Sequence, residues 1–140
     1  QSQLNPDGEN RISSISFYRA KAEQGDYEAQ EFLAKKYIQE NDTENIYKYF
    51  CMLIKSGKCA IPLEYAVNLY HRNYFRQSFK FFTLISEVNH PIAQYFIGTM
   101  KYNGFGCTQD KEESFRILKN LADNGIDQAS EFLKYHYDKQ

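Results

Sequence analysis

The side chains able to do acid–base, nucleophilic or metal chemistry are few and scattered. The 140 residues include three histidines, His71, His90 and His136, and three cysteines, Cys51, Cys59 and Cys107. A zinc site needs ligands at short, fixed spacings, such as HExxH on one helix face or closely paired His and Cys. No such spacing occurs. His71 falls in a tight link, His90 begins a helix and His136 lies near the end, so they read as structural or surface histidines. Glu112 and Glu113 sit where a helix opens, and the helix dipole favours negative charge there. No nucleophile or base stands with them. The segment NGFGCTQD carries Gly104 and Gly106 but lacks the Lys–Ser/Thr pair of a phosphate-cradling loop. Its glycines read as turn-formers. This inventory predicts no enzyme, no metal and no cofactor.

The chain repeats instead. Gly25, Gly57, Asn89 and Gly125 form one column, separated by 32, 32 and 36 residues. Four places later stand Ala29, Ile61, Ala93 and Ala129. Eight places later come Leu33, Tyr65, Ile97 and Leu133, and nine places later Ala34, Ala66, Gly98 and Lys134. Seven places before the marker come Tyr18, Phe50, Phe82 and Leu118. A period in the low thirties with small-residue columns predicts paired helices stacked into a solenoid. Such a solenoid offers a binding surface, and Lys134 in the small-residue column fits a terminal helix with one face in water.

The elements follow from the punctuation. Helices are predicted near 12–24, 26–38, 43–56, 59–70, 74–88, 90–102, 110–124 and 126–137. The marker glycines suit the left-handed position that ends a helix, and Asn89 is the usual substitute. Asp26 and Asp110 suit the position before a helix, and Pro62 and Pro91 its first turn. Residues 1–11, QSQLNPDGENR, read as a flexible leader, because Pro6 and Gly8 disfavour a helix. The repeat domain then covers 12–140.

Composition closes off several classes. The 12 Tyr and 11 Phe, with no Trp, predict aromatic packing between helices. Seventeen basic and 18 acidic residues leave a formal charge of -1, so no strong field draws the chain to nucleic acid. No apolar run is long enough to span a bilayer. The chain begins at Gln1 rather than Met, which reads as a processed form or a piece of a longer protein.

Residues 93–125, AQYFIGTMKYNGFGCTQDKEESFRILKNLADNG, resemble a Sel1-like repeat. Ala93, Ile97, Gly98, Gly104, Gly106, Asp110, Ala122 and Gly125 occupy the family's positions. Lys101 stands where the family prefers Tyr, and Cys107 where it prefers Val. Residues 22–37, AEQGDYEAQEFLAKKY, match the junction between successive repeats. The first two repeats lack the Gly-x-Gly loop and use the shorter links NDTE and HRN, closer to a tetratricopeptide repeat. The resemblance covers about residues 12–137. It implies an all-α fold, an α/α superhelical solenoid of antiparallel helix pairs with about three and a half repeats.

The resemblance also implies a role. In related helical repeats the first helix of each pair lines the concave groove. Transferred here, that geometry selects Glu31, Lys35, Tyr70, His71, Tyr95, Thr99, Tyr102, Glu131 and Tyr135 as partner-binding residues. Tyrosine suits such a groove because it joins a large apolar ring to one polar tip. The competing reading is that several of these rings simply cover neighbouring helices. Cysteine-rich members of the family bridge successive helices across eight residues, the spacing of Cys51 and Cys59. Here the pair is shifted against the marker Gly57, so bridged and thiol states both stay open.

The expected function is a non-catalytic module that binds another protein through its groove. Small secreted or periplasmic bacterial proteins similar to this family act as regulators, or as immunity proteins that inhibit a toxic enzyme. A periplasmic or secreted location is thereby slightly favoured over a cytoplasmic one. The alternatives are a cytosolic adaptor fragment of a larger signalling protein and, further off, a small-molecule-binding or hydrolytic protein. A homo-oligomer also stays open, because solenoid ends expose apolar faces.

Overall fold

The computed structural model describes residues 9–138, with side chains from Ser14 onward. The described residues form eight helices and no strand: α1 (Glu9–Glu23), α2 (Tyr27–Gln39), α3 (Thr43–Lys55), α4 (Ala60–His71), α5 (Phe75–Ser86), α6 (Pro91–Asn103), α7 (Lys111–Asp123) and α8 (Asp127–His136). This is the all-α repeat architecture that the period predicts. Helix α1 begins at Glu9, within the expected leader, and residues 1–8 of that leader lie outside the described residues. The stretch read as one repeat domain divides into two compact units, one ending at Ile61 and the other beginning at Pro62.

One backbone device recurs at the links. A left-handed residue follows each helix from α1 to α7: Gly25, Asn41, Gly57, Asn73, Asn89, Gly104 and Gly125. At six of these links an N–H reaches back five residues to a helix carbonyl. Asp26 bonds to Lys21 (3.1 Å), Asp42 to Tyr37 (3.0 Å), Lys58 to Leu53 (2.9 Å), Tyr74 to Leu69 (2.9 Å), Phe105 to Met100 (3.0 Å) and Ile126 to Leu121 (3.0 Å). This closure satisfies carbonyls that the helix end would leave orphaned. Three helices then start on an aspartate. The Asp26 carboxylate accepts from the N–H of Glu28 and Ala29, Asp42 from Asn45, and Asp110 from Glu113, at 3.0 to 3.3 Å.

In the first unit α1 packs on α2, and α2 on α3. Leu33, Ala34, Ile46, Phe50 and Leu53 are wholly buried, and Tyr37 stacks on Tyr49 with ring centres 5.8 Å apart. In the second unit α5 packs on α6, α6 on α7, and α7 on α8. Its core joins Phe81, Phe82, Ile85, Met100 and Leu118. The small-residue column is buried at Ala34, Ala66 and Gly98 and exposed at Lys134. At Gly98 the reason is direct: a Cβ there would stand 2.9 Å from the Leu118 side chain. Cys51, Cys59 and Cys107 are all thiols in the structure. Burial pushes the Cys59 and Cys107 thiols upward, away from the reactive thiolate.

Candidate partner-binding surface

In the second unit the first helices of successive pairs, α4, α6 and α8, carry a stripe of touching rings. Tyr70 of α4 meets Phe96 of α6 edge to face, with centroids 5.1 Å apart. Tyr95 and Tyr102 of α6 meet Phe132 of α8 edge to face, at 6.4 and 5.4 Å. Tyr102 also lies 4.9 Å from the His136 ring, which packs 3.9 Å from Phe132 and 4.9 Å from Tyr135. Edge-to-face pairs add about 0.5–1.5 kcal/mol each beyond area burial. Helix spacing produces the stripe. Tyr95 and Tyr102 are seven residues apart, and Glu131 and Tyr135 four, so each pair shares a face.

The structure sorts the predicted residues. Tyr70, Tyr95 and Tyr102 are half-buried within the stripe, whereas Tyr135 is 64% exposed. Glu131 and His71 are exposed. Thr99 is 7% exposed, and its hydroxyl donates to the Phe96 carbonyl at 3.1 Å, so it supports its own helix rather than offering a contact. Glu31 and Lys35 belong to the first unit, on α2, where Glu31 is half-buried and Lys35 exposed. Beside them Phe32 stacks on Tyr18 at 4.1 Å, and Tyr18 meets the exposed Phe17 at 5.5 Å.

Sequence reasoning missed Phe96, Phe132 and His136. The signal was present for two of them. Seven places after the marker stand Phe32, Glu64, Phe96 and Phe132, a column aromatic in three of four repeats. His136 has no repeat partner that would have drawn it out.

The electrostatics of the stripe are mild. Burial, followed by Tyr70 and Glu131, pushes the Tyr95 phenol above its ordinary value of 10.0. The phenol is therefore neutral near pH 7. The Lys111 ammonium sits 4.8 Å from the Tyr102 ring centre. Among the described residues no cluster of three or more His, Cys, Asp or Glu could hold a metal ion, and no helix is long and apolar enough to cross a membrane.

The glycine loop between α6 and α7 is packed down rather than open. A Cβ on Gly106 would lie 2.2 Å from the Phe75 carbonyl oxygen, and Phe75 and Phe105 stack at 4.4 Å. A shallow cavity of about 430 Å³ remains beside it, lined by Arg76, Gly104, Gly106, Cys107 and Thr108.

These helices, links and faces define an α-helical repeat protein. The solved structures make the class narrower: the chain has a Sel1-like repeat fold. It is similar to a Sel1 repeat protein from Oxalobacter formigenes, with a TM-score of 0.57, 18% identity, and 86% of this chain and 97% of that one covered. It is also similar to a protective antigen of uropathogenic Escherichia coli strains with an SLR fold. There the TM-score is 0.57, the identity 23% and the coverage of this chain 88%, and the match spans only 28% of the antigen's length. No family model matches the sequence, and no curated protein is similar to it.

Proposed function

We propose that the chain is a non-catalytic module that binds a partner protein through its first-helix faces. In the second unit the contact residues are Tyr70, Tyr95, Tyr102, Glu131 and Tyr135, with His71 at the rim; in the first they are Glu31 and Lys35. The observation that carries this reading is Tyr135. A large ring left 64% exposed at the end of a continuous aromatic stripe gains little by facing water. It is the type of anchor that interfaces concentrate. The fold supports the same reading, since solenoid repeats present extended binding faces. A regulator or immunity protein that covers another protein's active surface is the form this module takes.

The test is site-specific photo-crosslinking in an extract of the source organism. A photoreactive phenylalanine analogue at position 135 is compared with one at position 120, an exposed asparagine on α7. A protein adduct at 135 that is absent at 120, and lost when Tyr102 is changed to Ala in a variant still helical by circular dichroism, supports the reading. An adduct at 120 alone moves the interface to the other side and overturns it.

A further inference from the structure

The glycine loop after α6 and the start of α5 form a surface rich in donors and poor in acids. Between Glu64 and Asp110 the sequence carries Arg72, Arg76, Lys80 and Lys101 against one acid, Glu87, which lies at the opposite end of α5 from Arg76. The nearly neutral chain as a whole conceals this local excess. The shallow cavity of about 430 Å³ lies here, lined by Arg76, Gly104, Gly106, Cys107 and Thr108, with no acid among them. Of the acids that follow the loop, Asp110 accepts from the Glu113 N–H at 3.0 Å, and Glu113 pairs with Arg116. Glu112 is exposed on α7.

The donors of this cavity are unused within the chain. Arg76 is exposed, and its guanidinium makes no ion pair or hydrogen bond among the described residues. The N–H groups of Gly106, Cys107 and Thr108 bond to no backbone carbonyl; the loop is closed instead by Phe105 on Met100 and Asp110 on Lys101. Thr108 adds an exposed hydroxyl. The loop backbone also lies against the first turn of α5, since a Cβ on Gly106 would stand 3.0 Å from the Arg76 nitrogen. That helix starts with no side-chain cap and no acid in its first turn, so nothing in its own sequence offsets the positive end of its dipole.

We propose that this cavity binds the phosphate group of a phosphate monoester. The Arg76 guanidinium pairs with the phosphate through its planar fork, and the amides of residues 106–108 and the Thr108 hydroxyl supply the remaining donors. A phosphate dianion suits the site better than a carboxylate, because it brings more charge and more acceptor oxygens to the same donors. The site differs from a nucleotide-binding loop in the source of its cation. No lysine follows the glycines, and the positive charge comes from another helix. The site stands independently of the partner face.

The test titrates inorganic phosphate, glycerol 3-phosphate and N-acetyl-phosphoserine amide into the full chain at fixed ionic strength, followed by two-dimensional NMR, with acetate as the singly charged control. At about pH 8, where the phosphates are dianions, each is expected to give saturable shifts of the Gly106, Cys107 and Thr108 amides and of the Arg76 side-chain N–H. Arg76→Gln, at an exposed position, is expected to weaken binding about tenfold, the effect of losing one charge-assisted contact. Lys119→Gln removes the same charge from α7 and is expected to change nothing. Tighter binding of the glycerol ester than of the phosphoserine derivative supports a small soluble ester as ligand, and the reverse order supports a phosphorylated side chain. Shifts that never saturate, shifts away from the loop, or acetate binding as tightly as phosphate overturn the site. Equal weakening by Arg76→Gln and Lys119→Gln also overturns it, since the binding is then general charge attraction.

Discussion

The glycines that only turn the chain and those that also make room for a neighbour solve different problems. Gly25 and Gly57 in the first unit and Gly125 in the second have nothing within 4 Å of where a Cβ would be, so they serve only the positive φ that turns the chain. Gly98 and Gly106 instead make room. The α6 backbone comes close to Leu118 at Gly98, and the Gly106 loop lies against the start of α5. A link that only turns tolerates asparagine, as Asn41, Asn73 and Asn89 show. A link that is also packed does not. That difference explains why the shorter links NDTE and HRN work in the earlier repeats, where no loop must lie over a neighbouring helix.

The sharpest way to break the comparison is Gly106→Ala. Its Cβ meets a carbonyl oxygen at 2.2 Å, at a φ of 73°. Backbone cannot yield as a side-chain tip can, so the loop must lift and the Phe75–Phe105 stack must open. The expected loss exceeds about 3 kcal/mol, combining positive-φ strain with overpacking. Gly98→Ala follows. Alanine gains about 1 kcal/mol in helix propensity, but Leu118 is wholly buried and must shift, so the net loss is about 1–2 kcal/mol. Gly25→Ala carries strain alone, about 1 kcal/mol. Urea unfolding monitored by circular dichroism gives all three values. If Gly25→Ala proves as damaging as Gly106→Ala, the distinction between turning and packed glycines is wrong.

The same contrast marks what the sequence allowed to be read. The period, the marker column and the caps Asp26 and Asp110 were legible, the cap Asp42 was not named, and each helix lies within about three residues of its expected range. Those features are local: a left-handed turn demands glycine or asparagine wherever it occurs. Asn41 and Asn73 were the omission, because the repeat register was set on the other link of each pair. The candidate surface was less legible. The first helices carry the tyrosines that form the stripe, but spacing could not say which would be buried. Thr99 shares the face of Tyr95 and Tyr102 in the pattern, yet it points into the helix packing and bonds to its own turn. The reason is tertiary. How deep a helix sits between its neighbours depends on residues such as Phe96 and Phe132, far apart in the chain.

Acid sharpens the comparison between helix starts. The Ala29 N–H holds the Asp26 carboxyl below its ordinary 3.8, with Lys21 and the Glu28 N–H helping against slight desolvation. The side chain and N–H of Asn45 do the same for Asp42. Arg116 lowers Glu113 in the second unit. A lowered folded pKa means the charged form is favoured by folding. That stability is complete above the unfolded pKa and is lost as pH falls through the folded one. The thermal midpoint is therefore expected to fall below about pH 4. Asp26→Asn with Asp42→Asn keeps two good capping residues, since asparagine caps about as well as aspartate. The double variant is expected to match the parent near pH 7 and to lose less of its midpoint at pH 3. An unchanged acid slope would show that these caps do not carry the proton linkage.

The smallest effects are expected at the exposed contact residues, and they discriminate best between a binding face and a packing face. Compare α2 with α8 at equivalent positions. Glu31 and Phe32 match Glu131 and Phe132, but Lys35 stands where α8 has Tyr135. The shared phenylalanine is structural in both helices, stacking on Tyr18 in one and packing against Tyr95 and Tyr102 in the other. The variable position is exposed in both. Surface substitutions away from packed groups change stability by no more than about 0.5 kcal/mol. Tyr135→Ser and Lys35→Ala are therefore expected to leave the urea midpoint within that range. Tyr102→Ala removes a ring in contact with Phe132, His136 and Tyr137, and is expected to lose about 2–3 kcal/mol. If Tyr135→Ser also destabilised by more than about 1 kcal/mol, a value large for an exposed site, its ring would belong to the packing of α8 and the stripe would lose its anchor.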